Sequence, residues 1–497
     1  MTFAAQKTDR LELMFEPFRR NIVGYDQKFR TPYGDQRIVY ADWTASGRLY
    51  APIERAMTET FGPFVGNTHS ESNITGTSMT QAYHHAHAII KKHINAGPDD
   101  CLLHAGFGMT AAVNKLQRIL GLKVPEQYAK KLSIPAEQRP VVFVTHMEHH
   151  SNHTTWYETI ADVVVIKQTD EGLVDLDDLK ELLQKYKKRK LKIGSFSACS
   201  NVTGIETPYH AMAKLMHQHG GICFVDFAAS APYVSIDMHP ADPLEKLDAV
   251  VFSPHKFLGG PGTSGILVFD SHLYHLKSPD QPGGGTVLWT NPWGKYRYKP
   301  EIEEREDGGT PGFLQAIKSA LAVQLKEEMG VEAMRGREEE IVRKVFEGMK
   351  NIPGAVILAG DIRQRLSMIS FYFEELHYNL VVKLLNDRFG IQMRGGCSCA
   401  GTYGHYLLHV DKYTSKRITD KIDHGDLSTK PGWVRMSVHP TTTDGEIDFI
   451  LDALSQIRRN GSTWGADYSY DSQANEFRHK DDHGNFQRPM EEWFSLQ

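Results

Sequence analysis

Between about residues 100 and 270 the chain alternates short, continuous apolar runs with stretches in which apolar positions recur every three or four residues. The first pattern predicts buried strands and the second predicts helices. "CLLHAG" leads from a strand into the helical "MTAAVNKLQRIL", and "VVFVTH" and "VVVIKQ" have the β-branched content of strands. In "DLDDLKELLQKY", Asp175 is a candidate N-cap, and Leu176, Leu179 and Leu183 share one helical face. "KIGSFSA" is a strand, "YHAMAKLMHQHG" a helix closed by Gly220, and "ICFVD", "DAVVFS" and "GILVF" are further strands. Strands alternating with helices predict an α/β fold around a mainly parallel sheet.

A glycine-rich break at "QPGGGTVLW" and the charged "EIEEREDGGTP" close this region. A long helical stretch from about Pro311 to Met349 follows, then a smaller α+β unit. Its strands are "SMISFYF" and "GWVRMSVH", and its helices "HYNLVVKLLNDRFG" and "DGEIDFILDALSQI". From about residue 462 the chain is polar with scattered aromatics, the composition of a disordered tail or of a segment that packs on a neighbour.

At 497 residues the chain exceeds one compact core, so two domains plus extensions are expected. A formal charge of -5 carries no basic excess for neutralising phosphodiester backbones, which excludes nucleic acid as an expected partner. The five cysteines are an odd number, and Cys101, Cys199 and Cys223 lie in or beside apolar runs, which fits a reducing cytoplasm. The first residues lack the apolar core and cleavage site of a secretory signal, and no apolar stretch approaches the roughly 18 residues of a membrane helix. A soluble, cytoplasmic protein is expected.

Lys256 stands between the apolar run at Ala249–Phe252 and a glycine cluster. Its stem can snorkel to solvent. Alternatively, burial disfavours the ammonium and creates a Schiff-base lysine. The second role needs a phosphate anchor, a carboxylate for a pyridine nitrogen and a cover for the ring. "HAGFGMTAAVN" offers Gly106 and Gly108 in a strand-to-helix turn, with Thr110 adding a hydroxyl, and Ser253 and His255 precede the lysine. Asp226 ends the strand "GICFVD", and His149 follows another strand in "THMEHHSNHTTW". His149, His150 and His153 also leave a zinc site open as a reading. In "MRGGCSCAG", Arg394 and glycines flank Cys397 and Cys399, the setting of an exposed, reactive thiol, with a two-cysteine metal half-site as the alternative.

With these residues in this order the chain resembles the class V aminotransferase superfamily, specifically its cysteine desulfurase and selenocysteine lyase group. The resemblance runs from "VYADWTASG" (Val39 to Gly47) to the helix near Ile457 and is carried by "SPHK" before glycines, "EHHSN", "SNVTG", "VDFAAS" and the arginine of "GWVRMSVH". It implies the fold-type I architecture that carries pyridoxal 5'-phosphate. That architecture comprises a large domain with a mainly parallel, mixed seven-stranded sheet at residues 39–310, then a connecting helix and small α+β domain at 311–461. An N-terminal extension at 1–38 packing with the small domain and a polar tail at 462–497 complete the expected organisation.

The resemblance also implies roles. Lys256 matches the Schiff-base lysine, Asp226 the pyridine-nitrogen partner, and His149 the ring-stacking histidine placed for acid/base work on the substrate. Gly108, Met109 and Thr110 match the phosphate turn, and Ser253 and His255 phosphate ligands. Asn201 matches the asparagine near the cofactor's phenolic oxygen and the substrate, Ala45 a substrate contact, and Arg435 the arginine for the substrate α-carboxylate. Thr286 matches a phosphate contact lent across a homodimer interface. Cys399 falls on the catalytic cysteine, in a CxC loop similar to that of the molybdenum cofactor sulfurases. Two departures are visible. Ala229 replaces a glutamine of many desulfurases, and the segment between Cys399 and Arg435 is longer than in compact members.

The implied reaction removes sulfur from L-cysteine, giving alanine and a Cys399 persulfide for an acceptor protein or small thiol, with no metal and no membrane partner. Selenocysteine follows the same electronic path. An aminotransferase, epimerase or C–S β-lyase acting on another amino acid is the alternative, and a zinc-binding, non-enzymatic protein the alternative from another class.

Overall fold

Burial on both faces of the central strands explains why their apolar runs are continuous rather than alternating. Those strands are β1 (Asp100–Ala105), β2 (Val141–Thr145), β3 (Asp162–Ile166), β4 (Lys192–Ser197), β5 (Ile222–Asp226), β6 (Ala249–Phe252) and β7 (Gly265–Asp270). They form the expected mixed seven-stranded sheet, in the order β1-β7-β6-β5-β4-β2-β3. Neighbours from β6 to β3 are parallel, and β7 is antiparallel to both β1 and β6. Consequently β1, β2, β5 and β6 all point their carboxyl ends toward one edge.

Helices α1 (Ile74–His93), α2 (Gly108–Ile119), α3 (His150–Tyr157), α4 (Leu176–Lys185), α5 (Tyr209–Gln218) and α6 (Phe313–Met329) belong to the same unit. Met109, Ala112, Val113 and Leu116 of α2 share an apolar cluster with Leu103, Val251 and Leu267 of the sheet. Asp175 caps α4 as its sequence position predicts, accepting from the N–H groups of Asp177 and Asp178 at 2.9 and 3.0 Å.

This computed structural model describes residues 10–68, 71–129, 131–482 and 490–496, so parts of the N-terminal extension and of the tail lie outside the described residues. The chain forms two units, Ser46–Ser200 with Glu206–Val331, and Met1–Ala45 with Asn201–Ile205 and Glu332–Gln497. The helical stretch expected over 311–349 is two helices, because Gly330 adopts φ 79° between α6 and α7 (Val331–Met349). Among the described residues no helix is long and apolar enough to cross a membrane.

In the smaller unit, β8 (Ala355–Ile357), β9 (Met368–Phe373), β10 (Arg394–Gly396) and β11 (Trp433–Ser437) form an antiparallel sheet in the order β8-β9-β11-β10. Phe371 and Met436 of this sheet share a core with Val381 and Leu384 of α8 (Tyr378–Phe389). The long segment between β10 and β11 folds into α9 (Gly401–Leu407) and α10 (Lys412–Asp423), and α11 (Asp444–Gly465) follows β11 with a Thr443/Glu446 capping box. Val39–Tyr40 pairs in parallel with Ile391–Gln392. Part of the polar tail is built into the smaller unit. Its strands β12 (Tyr468–Asp471) and β13 (Glu476–His479) form a hairpin, with Tyr468 buried in the core and Phe477 packed against it.

Candidate active site

Asp226, His149, Lys256 and the Gly108 turn lie at or just after strand ends, where an open α/β sheet presents its loops to ligands. Asp226, the last residue of β5, is buried, and its Oδ1 accepts the N–H of Ala228 at 2.8 Å. Burial raises its pKa to about 7; that N–H and the Lys256 charge pull downward, while Glu148 adds to the rise. Such a carboxylate is ready for a cationic partner, and a protonated pyridine nitrogen is one.

β6 passes into the turn Pro254–Lys256, where the Lys256 N–H bonds to the carbonyl of Ser253 at 3.1 Å and the side chain is half-buried. Burial, then the Lys256 charge, push His255 down to about 4, so its imidazole is neutral at pH 7. Ser253 Oγ accepts the N–H of Met109 at 2.8 Å, tying the lysine loop to the first turn of α2. Gly108 makes that approach possible. At φ +68°, a Cβ on it would lie 2.8 Å from His255 Cε1 and 2.9 Å from Ser253 Oγ. Thr110 Oγ1 and Ser151 Oγ share a hydrogen bond of 2.7 Å, which sets the N-termini of α2 and α3 side by side as an anion-favouring corner.

His149 caps α3, its Nδ1 accepting the N–H of Ser151 at 3.1 Å. Its neighbour Glu148, not singled out in the sequence, is buried and accepts from Thr145 Oγ1 at 2.7 Å, Ser197 Oγ at 2.5 Å and Asn152 Nδ2 at 2.8 Å. These bonds fix the strand end that aims His149, and the available signal was a glutamate beside the histidine of "EHHSN". His153 bonds to Tyr157 Oη at 3.1 Å, and among the described residues no group of three or more His, Cys, Asp or Glu is arranged to hold a metal. Thr286 is buried in a separate turn, its Oγ1 donating to the carbonyl of Gly283 at 2.6 Å.

In the smaller unit Arg435 is buried on β11. Its Nη1 donates to the Asn201 carbonyl at 3.1 Å and its Nη2 to Asp42 Oδ1 at 2.7 Å, while Nε is buried without a hydrogen-bond partner among the described residues. Asn201 Nδ2 donates to the Ser398 carbonyl at 2.7 Å, and Asn201 Oδ1 and Ser398 Oγ are buried without hydrogen-bond partners among the described residues. Buried polar atoms left open in this way are what a polar ligand satisfies. Arg394, opposite Arg435 across the β10–β11 ladder, bonds through Nε to Asp42 Oδ2 at 3.1 Å. Ala45 is tied to the same residue, its N–H bonding to the Asp42 carbonyl at 3.0 Å. Asp42 carries no signal in the sequence beyond its place in "VYADWTASG". Cys397 is a half-buried thiol and Cys399 an exposed one. Ser398 and Cys399 both hold left-handed φ values, 51° and 55°, which turn the loop sharply between β10 and α9.

Residues 39–450 match the family described as aminotransferase class-V. The chain belongs to this family. Similar proteins include a "Probable cysteine desulfurase" of Staphylococcus epidermidis, 27% identical over 429 residues that span 85% of this chain and 93% of that protein. Another of the same description, from Staphylococcus aureus, is 26% identical over 370 residues, 73% of this chain and 84% of that one. In fold the chain is similar to the apo structure of a cysteine desulfurase from Thermococcus onnurineus NA1, with a TM-score of 0.71 at 22% identity over 90% of this chain and 98% of that one. A cysteine desulfurase from Escherichia coli gives a TM-score of 0.67, also at 22% identity and the same coverage.

Proposed function

We propose that this class V enzyme is a pyridoxal 5'-phosphate-dependent cysteine desulfurase, which releases alanine from L-cysteine and carries the sulfur as a persulfide on Cys399. The observation that carries the reading is an exposed Cys399 in the loop that follows the strand paired with Arg435. Relatives described as cysteine desulfurases, matched over most of their length, support it over other class V reactions.

The residues fit the cofactor. Asp226 is buried and feels the Lys256 charge, the Gly108 turn leaves a side-chain-free approach against Ser253 and His255, and two helix N-termini favour a phosphate. When bound, pyridoxal 5'-phosphate supplies an electron sink that acidifies the substrate Cα and weakens its Cβ–S bond.

The protein's own residues do the rest. Asp226 would hold the proton on the ring nitrogen, Lys256 would anchor the cofactor and, as a free amine, would take up the α-proton, and His149 would cover the ring and exchange a proton with the substrate thiol. Arg435 grips the α-carboxylate, beside Asn201 and Ala45. The Cys399 thiolate attacks the substrate sulfur: the S–S bond forms, the Cβ–S bond breaks, and its electron pair stays with Cβ, which is protonated to the methyl of alanine. The persulfide then passes to an acceptor thiol. We further propose a homodimer in which Thr286 serves the partner's phosphate site.

Alanine release and the sulfur added to the Cys399 peptide test this together. Cys399→Ala is expected to keep the visible absorbance of the lysine-bound cofactor and to form no persulfide. A cofactor-loaded wild type that releases no alanine from L-cysteine overturns the proposal.

A further inference from the structure

We infer that Asp42 is a positioning residue that couples occupation of Arg435 to the cysteine loop. This rests on the reading of Arg435 as the site of the substrate carboxylate. Asp42 divides itself between two arginines of opposite character. Oδ1 lies 2.7 Å from Arg435 Nη2, whose side chain is 3% exposed, and Oδ2 lies 3.1 Å from Arg394 Nε, whose side chain is 50% exposed. It is therefore an internal carboxylate resting on the guanidinium that has to receive an external one.

The donors of Arg435 determine where that external carboxylate binds. Nη1 is committed to the Asn201 carbonyl, Nη2 is shared with Asp42, and Nε has no partner among the described residues. An arriving carboxylate binds a guanidinium best through two parallel N–H bonds, and the idle Nε makes the Nε–Nη2 edge the place for it. On that edge it competes with Asp42 for Nη2, and two carboxylates on one buried guanidinium repel each other. Asp42 has a second cation at hand, and its weight moves to Arg394.

Arg394 is the first residue of β10, and Cys397 follows directly after that strand. The other side of the loop is held by Asn201, whose side chain donates to the Ser398 carbonyl and whose own carbonyl accepts from Arg435. The contacts close a circuit that runs from Asp42 through Arg435, Asn201 and Ser398 and back along β10 to Arg394. A carboxylate on Arg435 thus acts on the cysteine loop from both ends, and the nucleophile responds to the presence of an amino acid.

The test needs no turnover. In the cofactor-loaded protein carrying Cys397→Ser, the rate of Cys399 alkylation by iodoacetamide is measured without and with saturating L-alanine, whose binding is followed by calorimetry. We expect L-alanine to change that rate by about fivefold or more, within the range of ordinary coupling between sites. Arg394→Gln, at an exposed position, is expected to erase the change. Asp42→Asn, which keeps the acceptor and removes the charge, is expected to erase it and to tighten L-alanine binding. An effect of equal size in Arg394→Gln, or no effect in the parent with L-alanine bound, overturns the inference while leaving desulfuration intact. L-alanine binding that Arg435→Lys does not weaken instead removes the carboxylate-site reading, and the inference with it.

Discussion

Burial keeps Asp226 partly protonated at neutral pH, and this makes its contribution to stability readable. Its folded pKa of about 7 lies above the ordinary 3.8, so the unfolded chain releases this proton first. The cofactor-free fold therefore loses stability as pH rises from about 4 to about 7 and recovers none of it above that window. Cofactor-free Asp226→Asn is expected to exceed the wild type in urea-unfolding stability at pH 8 by on the order of 1–4 kcal/mol, and to match it near pH 4. Equal stability at pH 8 would contradict the burial account. The same substitution is expected to abolish turnover, because an amide does not hold the proton on a ring nitrogen. For Arg435→Lys, a point charge replaces a planar fork, and KM for the amino acid is expected to rise by about a hundredfold with kcat less affected. A fall in kcat at unchanged KM would place Arg435 elsewhere in the reaction.

At the scale of elements, the hairpin β12–β13 shows why a polar tail can be structural. Asn475 sits at its tip with φ 56°, donates through Nδ2 to Tyr378 Oη at 2.8 Å, accepts Tyr470 Oη at 2.9 Å on Oδ1, and accepts Asn379 Nδ2 at 2.6 Å on its carbonyl. Tyr378 and Asn379 open α8 and lie against the strands of the cysteine loop and of Arg435. A Cβ on Gly395 would fall 2.3 Å from Asn379 Oδ1, and one on Gly432 would fall 2.7 Å from the Tyr378 ring. Asn475→Ala removes two side-chain bonds from a buried site and is expected to lower stability by about 1–3 kcal/mol, measured by chemical denaturation. A neutral outcome would mean that water replaces both bonds. The composition after residue 462 left a disordered tail and a packed segment equally open and did not single out Asn475, because a tail of this kind gains order from neighbours that it meets through tertiary contact.

For the molecule as a whole, the homodimer proposal predicts a sedimentation mass of twice 56.1 kDa for the cofactor-loaded protein. A monomer with full activity would remove the role proposed for Thr286. The α/β class, the strand runs, the Asp175 cap and the positions of Asp226, His149 and Lys256 after apolar strands were determined by sequence alone. They depend on local rules, namely periodicity, capping, and the exit of polar residues from the end of a buried strand. The break at Gly330 was missed because a helical pattern continues on both sides of one glycine. The roles of Asp42 and Glu148 were decided only by tertiary structure. Each is an ordinary carboxylate until the fold brings it to its partners, Asp42 to arginines more than 350 residues away and Glu148 to Ser197 on the next strand of the sheet. A local pattern sets which face a residue turns to the core; what waits there is set by chain segments that local pattern does not connect.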